Sequence, residues 1–467
     1  MRKDDSQSEV LFQTSDTTWQ AYNLYGGANT YYGLSPPFRR AYKVSYNRPW
    51  QTRATRAINI LFGAEYPLIR WLESHGYDVS YQSGIDTHRN SVKSLSKHKL
   101  FLSVGHDEYW SGQQRTNVEL ARDSGLNLAF FSGNEVFWRV RWENDYRHLV
   151  VYKESQERVK IDPELDEWTG TWRDGRPINP LGPRPENSLT GTIFTVNAWR
   201  HDALEVPARF SRHRFWRNTS VAELQPGEKR TIKPGLLGHE WDEDLDNGFR
   251  PPGLVRLSET TVNNLWMIQD YGANYDSGTA THSLVIYRSS SGSLVFGAGT
   301  VQWSWGLDPH HDAVTGIPPE KSSPTNIRVG RDQMGAERDI IQATLNLFSD
   351  MGVHPPAAAL SPGLVAPEMS DDVTAPTITS LTEAEGLIIC QAEDVGGLVA
   401  AVEFSLDGES WHPAEYRDQN TWVIRVVLSR TAESLGYNFK PGVNLVRARG
   451  VDDSYHVGQI ATLAVTL

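Results

Sequence analysis

The stretch "SVGHDEYWS", residues 103–111, joins the end of an apolar run to a cluster of polar side chains. The run before it, "KLFLSV" at 99–104, is typical of a strand buried on both faces of a parallel sheet. After Gly105 the chain presents His106, Asp107, Glu108 and Tyr109. Residues two apart in an extended chain point the same way, so His106 and Glu108 are expected on one side. That pair suits metal ligation or general acid–base catalysis. The alternative is that the acids cap the following helix and the histidine binds a loop.

The segments around this stretch alternate between strand and helix patterns. Short apolar strands are predicted at 10–15, 41–47, 77–83, 99–105 and 126–133. Helices are predicted at 63–76, at 88–98, and from the N-cap Ser111 to Gly125. Strands separated by capped helices indicate an α/β fold with a doubly wound, mostly parallel sheet.

Other strand ends also carry polar side chains. Asn134 follows the strand 126–133, and ligands of such sheets bind beyond the carboxyl ends of the strands. Tyr22 and Tyr25 follow the first strand, and Tyr46 ends the second. On the residues alone, most tyrosines in such places pack their hydroxyl groups into loops. A site role is the alternative.

Two more segments leave their roles open. Lys153, in "VVYKES", follows an apolar pair, a pattern that favours a lysine with its charge at the surface over a site residue. The segment "LLGHEWDED", 236–244, places His239 and Glu240 after a short apolar run, and its acid-rich remainder is expected to be a solvated loop.

The rest of the chain predicts a second domain. We expect an α/β domain over 1–353, containing a large, partly β, aromatic-rich insertion at about 155–260 that covers the sheet. A Pro/Ala-rich linker is expected at 354–376. Short strands over 377–467, with a hairpin signal at Asp407-Gly408, are typical of an immunoglobulin-like β-sandwich.

Composition narrows the class of protein. The 467 residues carry 45 Lys+Arg against 57 Asp+Glu, so a net charge of −12 argues against nucleic acid or an anionic membrane as partner. No apolar run is long enough to span a membrane, and the first residues contain no apolar leader segment. Because Cys390 is the single cysteine, an intramolecular disulfide is excluded. Catalysis by a thiol is excluded as well, because Cys390 lies in the predicted sandwich. These features predict a cytoplasmic protein.

Six motifs, in chain order, resemble the large (beta) subunit family of N,N-dimethylformamidase. They are "TWQAYNLYGG", "AYKVSYNRPW", "SVGHDEYWS", "FFSGNEVFWRVRW", "GLLGHEWD" and "GTVQWSWGLD". The resemblance implies a domain similar to class I glutamine amidotransferases, without their cysteine, that holds one iron through two tyrosines and a glutamate. Glu108 matches the glutamate, and Tyr22 and Tyr46 are our choices for the tyrosines, with Tyr25 as a rival for either.

The resemblance also implies an activity. His106, Asn134, Lys153 and Glu240 fall where the family has catalytic and supporting groups. The expected protein is an iron-dependent hydrolase that cleaves the C–N bond of a small amide. Ferric iron would polarise the carbonyl and Glu240 would activate water, while His106 and Asn134 stabilise the oxyanion. Lys153 would hold Glu240 ionised or donate to the leaving amine.

The partners implied are a small amide substrate, a small companion subunit and further copies of the chain. Two alternatives stay open. One is a binding or scaffold protein whose insertion and sandwich recognise a carbohydrate or a protein. The other is a metal hydrolase that acts on a larger amide metabolite.

Overall fold

The computed structural model describes residues 7–33, 40–49, 60–312, 330–331, 334–418, 420–426 and 438–467. Within these ranges, no helix has both the length and the apolar character needed to cross a membrane.

The α-helices of the described ranges are α1 (Asp16–Tyr22), α2 (Leu61–Ala64), α3 (Tyr66–Ser74), α4 (Gly84–Arg89), α5 (Val92–Leu95), α6 (Gly112–Arg122), α7 (Asn187–Thr190) and α8 (Arg338–Asp350). The first strands are β1 (Val10–Gln13), β2 (Lys43–Ser45), β3 (Val79–Gln82), β4 (Leu100–Gly105), β5 (Tyr109–Ser111), β6 (Asn127–Ser132), β7 (Trp138–Glu143), β8 (His148–Val150), β9 (Ile193–Pro207), β10 (Lys229–Glu243), β11 (Val255–Arg256), β12 (Thr260–Ile268) and β13 (Tyr275–His282). The later strands are β14 (Val285–Arg288), β15 (Leu294–Gly297), β16 (His310–His311), β17 (Gly330–Arg331), β18 (Thr377–Ala384), β19 (Leu387–Glu393), β20 (Val399–Ser405), β21 (His412–Pro413), β22 (Glu415–Asp418), β23 (Thr421–Arg425), β24 (Val443–Asp452) and β25 (Ala461–Thr466).

The main sheet has seven strands in the order β11-β14-β15-β6-β4-β1-β3. The five strands from β15 to β3 run parallel, and β14 and β11 are antiparallel to their neighbours. Every residue of β4 is buried, as its apolar run predicts for a strand covered on both faces. The chain goes from β1 to β3 on one side and returns to β4 on the other, so the strand order reverses between β1 and β4. That reversal is where open α/β sheets bind ligands.

The helix at 112–122 begins as predicted, and the one at 88–98 does not. Ser111 caps α6 and forms a capping box with Gln114. The predicted helix 88–98 is instead split into α4 and α5. The side-chain amide of Asn117 explains the break, because it donates to the carbonyl oxygens of Thr87, His88 and Asn90 at 2.8, 3.0 and 2.9 Å. The chain is extended at Asn90, where α4 ends.

Among the described residues up to 282, two four-stranded sheets lie outside the main one. The predicted strand 41–47 is β2, which joins the sheet β2-β8-β7-β5 rather than the main sheet. Residues 193–207 and 229–243 form two 15-residue strands, β9 and β10, of the sheet β10-β9-β12-β13. The solvated loop expected in the acid-rich remainder after Glu240 is wrong, since β10 continues to Glu243 and Trp241 and Asp242 are buried. Asp244, the residue after β10, is also buried, and its charge is compensated by Arg250 and Arg256 at 2.8 and 2.7 Å.

The C-terminal region contains two four-stranded antiparallel sheets, β18-β19-β23-β22 and β21-β20-β24-β25. They share a buried core of Ile388, Phe404, Ile424, Val446 and Val465. The preceding segment is held against α8, where the side chain of Gln342 makes two 2.9 Å hydrogen bonds with the backbone of Val365. The domain boundaries and the immunoglobulin-like class stay predictions.

Candidate active site

Three segments that follow parallel strands meet around His106 and Glu108. The loop after β4 carries Glu108, which is 2% exposed, and His106, which is fully buried. The segment after β1 forms α1, where the Thr18 hydroxyl accepts a 3.0 Å hydrogen bond from the backbone N–H of Glu108. The loop after β6 carries the buried Asn134. The predicted convergence of these strand ends is therefore present.

Two tyrosine hydroxyl groups bind the Glu108 carboxylate. The Tyr22 hydroxyl donates to Oε2 at 3.0 Å, and the Tyr31 hydroxyl lies 3.0 and 3.1 Å from Oε1 and Oε2. The two phenolic oxygens are 2.9 Å apart. A third phenol, that of Tyr109, donates to Tyr31 at 2.7 Å. Glu108 therefore lies within a cluster of phenolic hydroxyl groups.

Asn29 brings Tyr31 into this cluster. Its side-chain oxygen accepts from the backbone N–H groups of Tyr31 and Tyr32, both at 2.8 Å. Its amide nitrogen donates to the carbonyl oxygen of Tyr22 at 3.0 Å. The loop after α1 is thus folded back onto the last residue of the helix, with the rings of Tyr22 and Tyr31 4.5 Å apart. A side chain that bonds nearby backbone groups in this way is a known property of asparagine in turns.

The other predicted tyrosine ligands lie elsewhere. The Tyr46 hydroxyl donates to Oδ2 of Asp16 at 3.1 Å, so its phenol is engaged by a different carboxylate. Tyr25 is 53% exposed on the loop after α1. Of these tyrosines, Tyr22 and Tyr31 contact Glu108 while Tyr46 binds Asp16. Which tyrosines hold a metal ion stays a prediction.

A second carboxylate, that of Glu240 on β10, is also in the site. Its Oε2 lies 2.9 Å from His106 Nε2 and accepts a 2.9 Å hydrogen bond from the Asn134 amide. The same His106 nitrogen is 3.4 Å from Glu108 Oε2, so His106 lies between the two carboxylates. The neighbouring His239 is 3.9 Å from Glu240 and 1% exposed.

The electrostatics of this pair set its protonation state. Burial raises the pKa of Glu240, but the charge and hydrogen bond of His106, with smaller effects of His239 and Asn134, lower it to about 2. Burial lowers the pKa of His106, but the carboxylates of Glu240 and Glu108 outweigh it and raise that pKa above its ordinary value. Both shifts favour the charged forms, a carboxylate beside an imidazolium.

Lys153 is buried rather than at the surface, contrary to what its sequence pattern favours. It is 1% exposed, and its Nζ lies 3.2 Å from the centroid of the Tyr31 ring and 4.7 Å from that of Trp138. Nζ has no hydrogen-bond partner among the described residues. Burial lowers the pKa of this amine well below its ordinary value, against the opposing charges of Glu108 and Glu240. A buried lysine of this kind gives up its proton more readily than an exposed one.

The tyrosine–glutamate cluster fits a hard metal ion. Burial, and then the charge of Glu108, raise the pKa of Tyr22 and of Tyr31 well above 10. Phenolates therefore form here only if a cation compensates their charge. Two phenols and a carboxylate within 3.1 Å supply the hard oxygen donors that ferric iron prefers. A neighbouring set offers a rival site, because ligand atoms of His106, His239 and Glu240 lie within 4.8 Å of one another.

Sequence reasoning missed Tyr31 and named Tyr109 and His239 without choosing them as site residues. Tyr109 belongs to the opening motif, and His239 directly precedes Glu240. The signal for Tyr31 is Asn29 in "ANTYYG", since an asparagine before two aromatic residues predicts a turn that folds the chain back.

Comparison with known proteins gives one family. The model of the family described as N,N-dimethylformamidase beta subunit-like, C-terminal, matches residues 1–314. No curated protein matches the chain. The matched residues are about two thirds of the sequence and include every residue of the site described above. The resemblance seen in the motifs is confirmed, and the chain belongs to the N,N-dimethylformamidase beta subunit-like family.

Proposed function

We propose that this chain is an iron-dependent hydrolase that cleaves the C–N bond of a small amide. One observation carries the proposal: a buried carboxylate bound by two phenols lies beside an ionised glutamate–histidine pair. The first group suits a metal ion and the second suits proton transfer to and from water. The family description supports an amide as substrate.

The residues proposed to hold iron are Tyr22, Tyr31 and Glu108. All three present oxygen atoms, and their phenol and carboxylate groups already contact one another at 3.0 to 3.1 Å. When bound, ferric iron supplies a Lewis acid that polarises the carbonyl of the amide.

Glu240 is the proposed general base. Its low pKa keeps it ionised at neutral pH, which is the form that a general base needs. Asn134 and His106 both contact Oε2, which leaves Oε1 for that water. As the imidazolium, His106 can also donate to the oxygen on which negative charge develops.

Lys153 is proposed to deliver a proton to the leaving amine. Its nitrogen has no hydrogen-bond partner in the described part of the chain, and burial brings its pKa down towards the range in which it exchanges protons. The negative charges of Glu108 and Glu240 oppose that fall in pKa, because they favour the protonated amine.

Fold and assembly belong to the same proposal. The parallel order β3-β1-β4-β6-β15, with the site at its point of reversal, supports an amidotransferase-like α/β domain. The word "subunit" in the family description supports a small companion subunit or association of copies.

Release of amine from a panel of amides tests the activity. Purified chain, loaded with iron, is incubated with formamide, N-methylformamide, N,N-dimethylformamide and a larger N-acyl amide. We expect release from the small amides. Release from the larger amide alone favours the alternative hydrolase. No release from any of them, with iron bound, contradicts the proposal and favours a binding protein.

A further inference from the structure

The loop between β6 and β7, residues 133–137, carries Asn134 in a strained conformation. Asn134 and Val136 have φ angles of 49° and 52°, in the left-handed region. This region is especially unfavourable for a β-branched residue such as valine. A non-glycine residue keeps such a conformation only where its surroundings hold it in place.

The side chain of Asp242 holds this loop. Its Oδ1 accepts a 2.9 Å hydrogen bond from the backbone N–H of Asn134. Its Oδ2 accepts another, also 2.9 Å, from the hydroxyl of Thr192, just before β9. Asp242 is 2% exposed, so both bonds are sheltered from water. The carboxylate therefore ties the strained loop to the β9–β10 pair.

Gly133 brings the loop close to the same strand. A Cβ atom at this position would lie 2.9 Å from the backbone oxygen of Glu240 and 2.8 Å from the Cα of Thr300. Real Cβ atoms essentially never approach other atoms so closely, so a residue other than glycine would push the loop away. The loop is thus packed against the backbone at Glu240 while its next residue is bound by Asp242.

The conformation of the Asn134 backbone sets the direction of its side-chain amide. Its Nδ2 lies 2.9 Å from Glu240 Oε2 and 3.2 Å from His106 Nε2. Asp242 follows Glu240 by two residues on β10, so one strand carries both the proposed base and the anchor of its partner. We propose that Asp242 is a positioning residue, which aims the Asn134 amide at Glu240 by binding the Asn134 backbone. Its catalytic meaning rests on the proposed function.

Steady-state kinetics of four variants test the inference. Asp242→Ala is expected to lower kcat about 10- to 100-fold with KM changed less than about twofold, as for a misplaced catalytic group. Asp242→Asn is expected to restore kcat to within about threefold of wild type, because an amide oxygen still accepts from Asn134 and the Thr192 hydroxyl can turn to accept. The double variant Asn134→Ala/Asp242→Ala should be no slower than Asn134→Ala alone.

Asp339 provides a matched control. It is a buried aspartate at the start of α8 that likewise accepts one backbone N–H and one hydroxyl, both from Ser220. It also pairs with Arg230, with 3.3 Å between Nε and Oδ2. Asp339→Ala is expected to lower Tm and leave kcat unchanged. A normal kcat in Asp242→Ala, additive losses in the double variant, or equal losses in Asp242→Asn and Asp242→Ala would each overturn the inference. If Asp242→Ala does not fold, Asp242→Ser takes its place, since its hydroxyl is too short to bridge both partners.

Crystal structures separate this inference from the proposed function. If the wild type hydrolyses no amide, the function fails, yet the position of Asn134 can still be measured. We expect the distance between Asn134 Nδ2 and Glu240 Oε2 to exceed 3.5 Å in Asp242→Ala and to stay near 2.9 Å in Asp242→Asn. An Asn134 amide that keeps its place in Asp242→Ala overturns the positioning role.

Discussion

His106 and Glu240 form a buried ion pair, with 2.9 Å between Nε2 and Oε2. His106 is fully buried and Glu240 is 3% exposed, so water does little to weaken their attraction. The pair comes from two separate elements, the loop after β4 and the strand β10. It joins the parallel sheet to the antiparallel sheet at the point where we propose that water is activated.

Glu240→Gln should abolish turnover while iron remains bound. Glutamine keeps the shape of glutamate and can still bond Asn134, but it cannot accept a proton. Loss of a general base costs about 10²- to 10⁴-fold in rate. Amine release and iron content of the purified variant measure the two effects.

Glu403→Gln is the control for that variant. Glu403 is equally buried but lies on β20, where it binds Arg449 and the backbone of Gly253. We expect its turnover to equal that of wild type. Loss of iron from Glu240→Gln would instead assign the metal to His106, His239 and Glu240.

Tyr31→Phe and Tyr46→Phe distinguish the two candidate sets of ligands. Ferric iron bound by tyrosinate absorbs visible light, so removal of a ligand removes colour. We expect Tyr31→Phe to lose most of its iron and its visible band, because its hydroxyl contacts both Glu108 oxygens. Tyr46→Phe should keep both, since its hydroxyl binds Asp16. The reverse result would restore Tyr46 as the ligand.

Lys153→Met should reduce turnover without reducing stability. The Lys153 amine is buried without a hydrogen bond among the described residues, so a methionine of similar length loses little. Burial disfavours the charged form of this amine, so its removal is not expected to lower the free energy of unfolding. Amine release should fall at least ~100-fold if the lysine protonates the leaving group.

Lys233→Met is the control for Lys153→Met, because it is expected to lower stability and leave turnover unchanged. Lys233 is also buried, but it donates to the carbonyl oxygens of Trp305 and Gly335 at 3.0 and 2.6 Å. Removing it leaves two acceptors without this donor, at a cost of about 1–3 kcal/mol, while turnover should stay normal. Urea unfolding and amine release measure both variants. Equal turnover in Lys153→Met and wild type would remove Lys153 from the mechanism.

Asp242 predicts a pH dependence of stability. Burial raises its pKa from 3.8 to about 7, so the folded chain holds this proton more tightly than the unfolded chain. The stabilisation is fully present below about pH 4 and is lost as the pH rises through about 7. Asp242→Asn lacks this titration. Between pH 4 and pH 8, the free energy of unfolding of the variant minus that of wild type should therefore rise by up to about 4 kcal/mol. Urea unfolding at both pH values measures the difference, and a constant difference would contradict the raised pKa.

Strand ends were predictable from the sequence, and the partners of loop side chains were not. The apolar runs now seen as β4 and β6 are continuous, so their ends and the polar residues after them could be predicted. The hydrophobic periodicity and the polarity of the sequence do not show which loop tyrosine contacts Glu108. The contact depends on the turn at Asn29, which places Tyr31 at Glu108, whereas Tyr46 binds Asp16.

Lys153 shows a second limit of sequence reasoning. An apolar pair before a lysine is typical of a buried stem with an exposed charge. Here Nζ is enclosed by the rings of Tyr31, Trp138 and Tyr109, which come from distant parts of the chain. Only tertiary structure brings those rings together.

A ferric titration of the metal-free chain tests the central claim most directly. Iron is added as a soluble ferric chelate, and visible absorbance and amine release from N,N-dimethylformamide are measured at each addition. The account predicts that both rise together and level off at one iron per chain. Full activity before any iron is added, or activity that reaches its maximum without a tyrosinate band, would contradict it.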